Sequence, residues 1–112
     1  MNQWDVFMFP FGKEKRHPAV ILSIDEICQN PGITEVNALI CSSVRANRPP
    51  KSIEEILDEA DGLDWKTIVR CDRIYLLPKS QFNDRKGGVT EERRHLISRK
   101  LVEVFRLPIY RR

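Results

Sequence analysis

In the run Ile68-Val69-Arg70-Cys71-Asp72-Arg73, an arginine and an aspartate stand two residues apart among β-branched neighbours. On an extended strand this spacing sends both side chains out of one face, with Cα atoms about 7 Å apart. Held so, the two can act together on a phosphodiester. The guanidinium supplies charge and paired donors for phosphate oxygens, and the carboxylate supplies a proton acceptor. To serve as a base, Asp72 needs partial burial to raise its pKa above the ordinary value of about 3.9. Arg70 is a clamp and not an acid, because removing a proton from a group of pKa about 12.5 costs roughly 7 kcal/mol at pH 7. His17 is the better acid, with an ordinary imidazole pKa near 6.5. Pro18 biases His17 toward an extended backbone, which projects the ring from the start of a strand. The hydroxyls of Ser42 and Ser43 can orient a phosphate or a backbone group.

Plainer readings exist for each. Arg70 and Asp72 also fit an ordinary ion pair worth under about 1 kcal/mol, His17 a solvated loop residue, and the serines structural positions in a strand. His95 falls on the polar side of a helix. Trp4 and Trp65 fit core or interface positions better than stacking platforms.

The chain has 112 residues, 41% hydrophobic and 31% charged, which suits one globular domain spanning residues 1–112 and not a disordered segment. No stretch approaches the roughly 20 apolar residues of a membrane span. The opening Met1-Asn2-Gln3-Trp4-Asp5 lacks the pattern of a secretory signal. Three cysteines, Cys28, Cys41 and Cys71, have no metal-ligand spacing, so the expectation is buried thiols in a reducing, cytoplasmic setting with no metal or cofactor. The net charge of +3 hides an asymmetry. Residues 54–64 hold six acidic side chains and no Lys or Arg, leaving 19 basic against 10 acidic elsewhere. The basic groups cluster at Lys13-Lys15-Arg16, Arg45-Arg48-Lys51 and Arg85-Lys86, a surface that attracts a polyanion.

Several short strands and one carboxy-terminal helix must carry these residues. Trp4 to Phe9 reads as a strand, and Ala19-Val20-Ile21-Leu22 as a strand buried on both faces. Ser23 and Glu26 have capping-box spacing, which predicts a short helix to about Gln29, and Val36 to Val44 reads as a third strand. Residues 53–60 are ambiguous. Ile53, Ile56, Leu57 and Ala60 fit a helix face, but a strand over Ile53 to Asp58 is the preferred reading, since tertiary context commonly overrides local pattern. Lys66 to Leu77 is one long strand or two joined at a bend, and Lys86-Gly87-Gly88 reads as a loop. Thr90 caps a helix whose apolar face is Leu96, Ile97, Leu101, Val104 and Phe105, and Pro108 stops it.

In order along the chain, Asp5-Val6 with Phe9-Pro10-Phe11, the block Lys15-Arg16-His17-Pro18-Ala19-Val20-Ile21-Leu22, Cys41-Ser42-Ser43, Asp61-Gly62-Leu63 with Thr67-Ile68-Val69-Arg70-Cys71-Asp72, and Gly87-Gly88-Val89-Thr90-Glu91-Glu92 resemble the MazF/PemK family of toxins from toxin–antitoxin pairs, Kid branch included. The likeness spans residues 4–106. It implies a mostly β, α+β fold: a small SH3-like β-barrel with a carboxy-terminal helix, usually as a homodimer. It also implies a metal-independent endoribonuclease, without cofactor, that cuts single-stranded RNA at short sequences. The 2′-hydroxyl attacks the adjacent phosphorus and leaves a 2′,3′-cyclic phosphate and a 5′-hydroxyl, and a cognate antitoxin with an acidic tail neutralises the toxin. Carried over to this chain, Arg70, Asp72 and His17 are the catalytic candidates, and Arg16, Lys15, Ser42, Ser43 and Arg45 the substrate-binding ones. His17 stands where most of the family has arginine, and Ser42 where it has threonine. A toxin of the CcdB type, which binds gyrase without cleaving, or a homologue that has lost its chemistry, would not need Arg70, Asp72 and His17 to converge.

Overall fold

The structure is a computed structural model that describes residues 1–12, 15–42 and 46–109. Its strands are β1 (Asp5–Phe9), β2 (His17–Ile21), β3 (Glu35–Ile40), β4 (Glu54–Leu57), β5 (Thr67–Arg70), β6 (Tyr75–Pro78) and β7 (Asn83–Gly88), with helices α1 (Asp25–Cys28) and α2 (Glu91–Phe105). Five strands form an antiparallel sheet in the order β6-β3-β2-β1-β7, and β4 pairs with β5 in a second sheet. A bridge between Cys41 and Val69 joins the two sheets, continued by Ser42 N–H to the Ile68 carbonyl at 2.9 Å. The result is barrel-like, though the sheet does not close.

β2 is covered on both faces, as its unbroken apolar run requires. Val20 packs with Val6, Leu39, Leu57, Val69 and Ile97 in one core; Ala19 and Ile21 pack with Phe9, Val36, Ala38 and Leu77 in the other. α2 closes the first core through Ile97, with Leu101 against it, while Leu96 and Phe105 of the expected apolar face stay exposed. Thr90 caps α2 by accepting from Arg93 N–H at 3.4 Å. The helix ends before Pro108, at Arg106 in a left-handed conformation with its N–H on the Glu103 carbonyl. No helix among the described residues is long and apolar enough to cross a membrane.

Three expectations change, and the strand preferred at residues 53–58 holds. Ser23 does not cap α1; its Oγ accepts from Asn37 N–H at 2.8 Å, tying α1 to β3. The third strand stops at Ile40, and its expected end at Val44 lies outside the described residues. The strand preferred over Ile53 to Asp58 is present at residues 54–57, where pairing with β5 in the register Glu54 to Arg70 and Leu57 to Thr67 outweighs the local helical spacing. Residues 83–88 are a strand and not a loop: β7 covers the outer edge of β1 with two register shifts, and a polar, bulged edge strand needs no apolar alternation. Its glycines permit a close crossing. A Cβ on Gly87 would lie 2.6 Å from the Asp61 carbonyl, and one on Gly62, at φ +93°, 2.2 Å from that of Lys86.

Candidate active site

β5 ends at Arg70, and Asp72 lies in the bend beyond it, so the bend and not a straight strand brings the two together. Arg70 donates from Nε to Asp72 Oδ1 at 3.0 Å and from Nη2 to Oδ2 at 2.6 Å, a two-pronged pair with the Arg70 side chain still 43% exposed. The consequence for Asp72 is opposite to the one a base requires. Arg70 holds its carboxyl below the ordinary carboxylate range, against a smaller opposing effect of burial. The hydrogen bonds to Asp72 in turn raise the Arg70 pKa further above its already high ordinary value.

Arg70 opens onto a cleft of about 570 Å³ whose walls come from the β1–β2 loop, β2, the chain after β3, the approach to β4, and β5. His17 lines it too. The ring Nδ1 lies 3.0 Å from the carbonyl oxygen of Cys41, an acceptor only, so Nδ1 donates and Nε2 is the atom left to exchange a proton. Ser42 lines the same cleft and is held through its backbone, its carbonyl accepting from Thr67 Oγ1 at 2.8 Å.

The basic residues ahead of His17 go elsewhere. Arg16 donates to Asn83 and Asp84 on β7, and Lys15 is exposed; neither lines the cleft. Ser43 and Arg45 lie outside the described residues. His95 is exposed on α2, and the three cysteines are buried and unpaired. Burial pushes the Cys71 thiol up to about 12, which removes it from nucleophilic chemistry.

Sequence reasoning missed several lining residues. Phe11 and Tyr75 meet edge to face at 4.9 Å between centroids, with the His17 ring 6.0 Å from Phe11, giving an aromatic wall beside the imidazole. Arg48 and Lys51, from a basic cluster the sequence did single out, add positive charge, as does Arg73. Most hidden is Glu54, 6% exposed, which takes Arg48 Nη1 and Nη2 at 2.8 and 3.1 Å and Lys51 N–H at 2.8 Å. Those bonds, Arg48 first, hold its pKa at about 2 instead of 4.5; Arg93 likewise holds Asp58 at about 2 instead of 3.8. A carboxyl depressed in the folded state stabilises above its unfolded pKa and loses that contribution as pH falls toward the folded one. The melting temperature, followed by circular dichroism, is therefore expected to hold steady down to about pH 5 and to fall progressively between about pH 4.5 and pH 2. The double variant Arg48→Gln/Glu54→Gln is expected to flatten that descent. An unchanged acid limb in the double variant would remove Glu54 from the account.

A family model described as PemK-like, MazF-like toxin of type II toxin-antitoxin system matches residues 2–105. No curated protein sequence shows a significant match. Among solved structures, an endoribonuclease in complex with its cognate antitoxin from a mycobacterial species superposes at TM-score 0.80, with 21% identity over 98% of this chain and 99% of that one. The Mycobacterium tuberculosis toxin MazF-mt6 gives 0.77 at 17% identity, covering 94% and 99%. MazE-MazF from Deinococcus radiodurans gives 0.73 at 20%, covering 96% and 97%. At such identities the structures speak for the fold, and the family model speaks for descent. An open, barrel-like sheet capped by α2, matched over nearly its whole length, belongs to the PemK-like, MazF-like toxins of type II toxin–antitoxin systems.

Proposed function

We propose that this toxin is an endoribonuclease that cleaves single-stranded RNA by attack of a ribose 2′-hydroxyl on the adjacent phosphorus. The observation that carries this reading is Arg70, fixed along one edge by Asp72 and opening into a cleft that also holds a tautomer-defined His17. The terminal edge of the guanidinium takes the phosphate oxygens and offsets the charge that builds on the phosphorane. As the bond from phosphorus to the 5′-oxygen breaks, His17, protonated on both ring nitrogens, gives the Nε2 proton to that oxygen and becomes the neutral Nδ1–H form, and the 2′-hydroxyl proton passes to solvent. Asp72, with both oxygens engaged, positions Arg70 in place of acting as base. Ser42 orients the backbone, and the Phe11–Tyr75 wall suits stacking of a base. Lys15 and Arg16 shape the approach from outside the cleft.

The charge of Arg48, Lys51, Arg70 and Arg73 also suits an acidic segment of a cognate antitoxin, a partner present in two of the structural neighbours. The toxin acts as a homodimer on this reading, in the cytoplasm and without a metal.

The acid role has a sharp test. His17→Gln is expected to lower kcat about 10²- to 10³-fold on ordinary RNA with little change in KM. A substrate with sulfur in place of the bridging 5′-oxygen leaves without protonation, so the same variant should cleave it at close to the wild-type rate. An equal defect on both substrates would take the acid role away from His17.

A further inference from the structure

The two cleft arginines that the structure braces with carboxylates are gripped by different edges. Arg70 commits Nε and Nη2 to Asp72 and keeps its terminal edge. Arg48 does the reverse. Nη1 and Nη2 go to Glu54, with Nη1 also 3.2 Å from the Pro49 carbonyl, which leaves Nε–H and one Nη2–H as a second two-pronged edge among the described residues. Its brace is rigid: Glu54 is buried, sits on β4 and is tied to the backbone at Lys51. Strand register sets Glu54 directly opposite Arg70, so both guanidinium groups belong to neighbouring positions of one cleft wall. Arg48 is itself 44% exposed, which puts the uncommitted edge within reach of solvent.

We propose that Arg48, braced by Glu54, is a second anion clamp that holds the phosphate adjacent to the one held by Arg70. The ligand is a pair of consecutive phosphates on a single-stranded nucleic acid, an assignment that rests on the nuclease reading and refines it. Arg48 is a binding residue on this view and takes no part in bond making. A purely structural role, neutralising the Glu54 carboxylate, would predict lost stability on removal and no change in how binding responds to salt.

The test is binding of a mixed-sequence 2′-O-methyl RNA, which cannot be cleaved, by fluorescence anisotropy between about 50 and 200 mM salt. For Arg48→Gln the slope of log affinity against log salt is expected to shrink by about 0.7, the loss of one single-strand phosphate contact. Affinity should fall about tenfold. Arg48→Lys should retain the slope and lose part of the affinity, since charge remains and the fork does not. If Arg48→Gln fails to fold, Arg48→Gln/Glu54→Gln leaves no unpaired buried charge and should show the same reduced slope. On ordinary RNA the expected signature is a raised KM with kcat nearly unchanged. A wild-type slope in the folded single or double variant overturns the proposal even if the wild type cleaves RNA. Wild-type binding with the expected Arg48 effect but no cleavage would instead sink the nuclease reading and leave the clamp standing. No binding by the wild type refutes both.

Discussion

Arg70→Ala is expected to lower kcat on single-stranded RNA by about 10³-fold, the largest loss of activity from any single substitution in the cleft. Several features combine at this one side chain. It is a cation at any working pH, it is held along one edge, and it lines the cleft with its terminal edge uncommitted to Asp72. A donor fixed before reaction stabilises a developing phosphorane without reorganising, which is why its removal costs far more than a surface ion pair contributes to folding. The same variant should melt within a few degrees of wild type, because the Arg70 side chain is substantially exposed. Asp72→Asn should reduce kcat less, by about tenfold, since Arg70 keeps its charge and loses only part of its bracing. Single-turnover kinetics with excess enzyme separate these effects from binding. A kcat for Arg70→Ala within about threefold of wild type would remove the clamp from the mechanism.

The largest loss of stability is expected from Arg93→Ala, a residue that does not line the cleft. Asp61 is 0% exposed, and its carboxylate is satisfied by Thr90 N–H at 3.0 Å, Asp58 N–H at 3.0 Å and the Arg93 guanidinium. Arg93 also forks onto Asp58 at 2.7 and 2.9 Å. One guanidinium thus joins the first turn of α2 to the chain after β4, beside the crossing at Gly62 and Gly87. Removing it leaves a carboxylate without a counter-charge in the interior, at a cost of about 3–5 kcal/mol. Urea denaturation should show a lower midpoint at unchanged slope. Arg93→Met combined with Asp61→Asn should recover much of the loss, because no buried charge is then stranded. A loss below about 1 kcal/mol in Arg93→Ala would mean that the network is not a structural pin.

What the sequence revealed depended on how local the cause was. β1, β2 and α2 rest on apolar runs and a threonine cap, signals contained within their own residues. β4 carries a helical spacing and becomes a strand only through β5, and β7 looks like a loop because an edge strand over β1 can be polar. The site follows the same division. Arg70, Asp72 and His17 were singled out by side-chain chemistry and spacing together with the family resemblance, and Arg70 and His17 line one cleft. The depressed Asp72 carboxyl was not legible, since it depends on how a bend turns the two side chains toward each other. Arg16 looked like a substrate contact because its partners, Asn83 and Asp84, are far away in sequence on a strand without a strand's pattern. Glu54 read as one more charge in an acidic run, yet burial and Arg48 make it the most constrained carboxylate of the cleft.

A single-stranded RNA carrying one ribose without its 2′-hydroxyl, at the nucleotide 5′ to the cleaved bond, offers the most direct test. Incubated with the toxin in EDTA, the all-ribose strand should yield fragments ending in 2′,3′-cyclic phosphate and beginning with 5′-hydroxyl, and the substituted strand should stay intact at that bond. Cutting of the substituted strand at the same position, or fragments bearing 5′-phosphate, would contradict attack by the neighbouring hydroxyl and the role given to Arg70 and His17 with it.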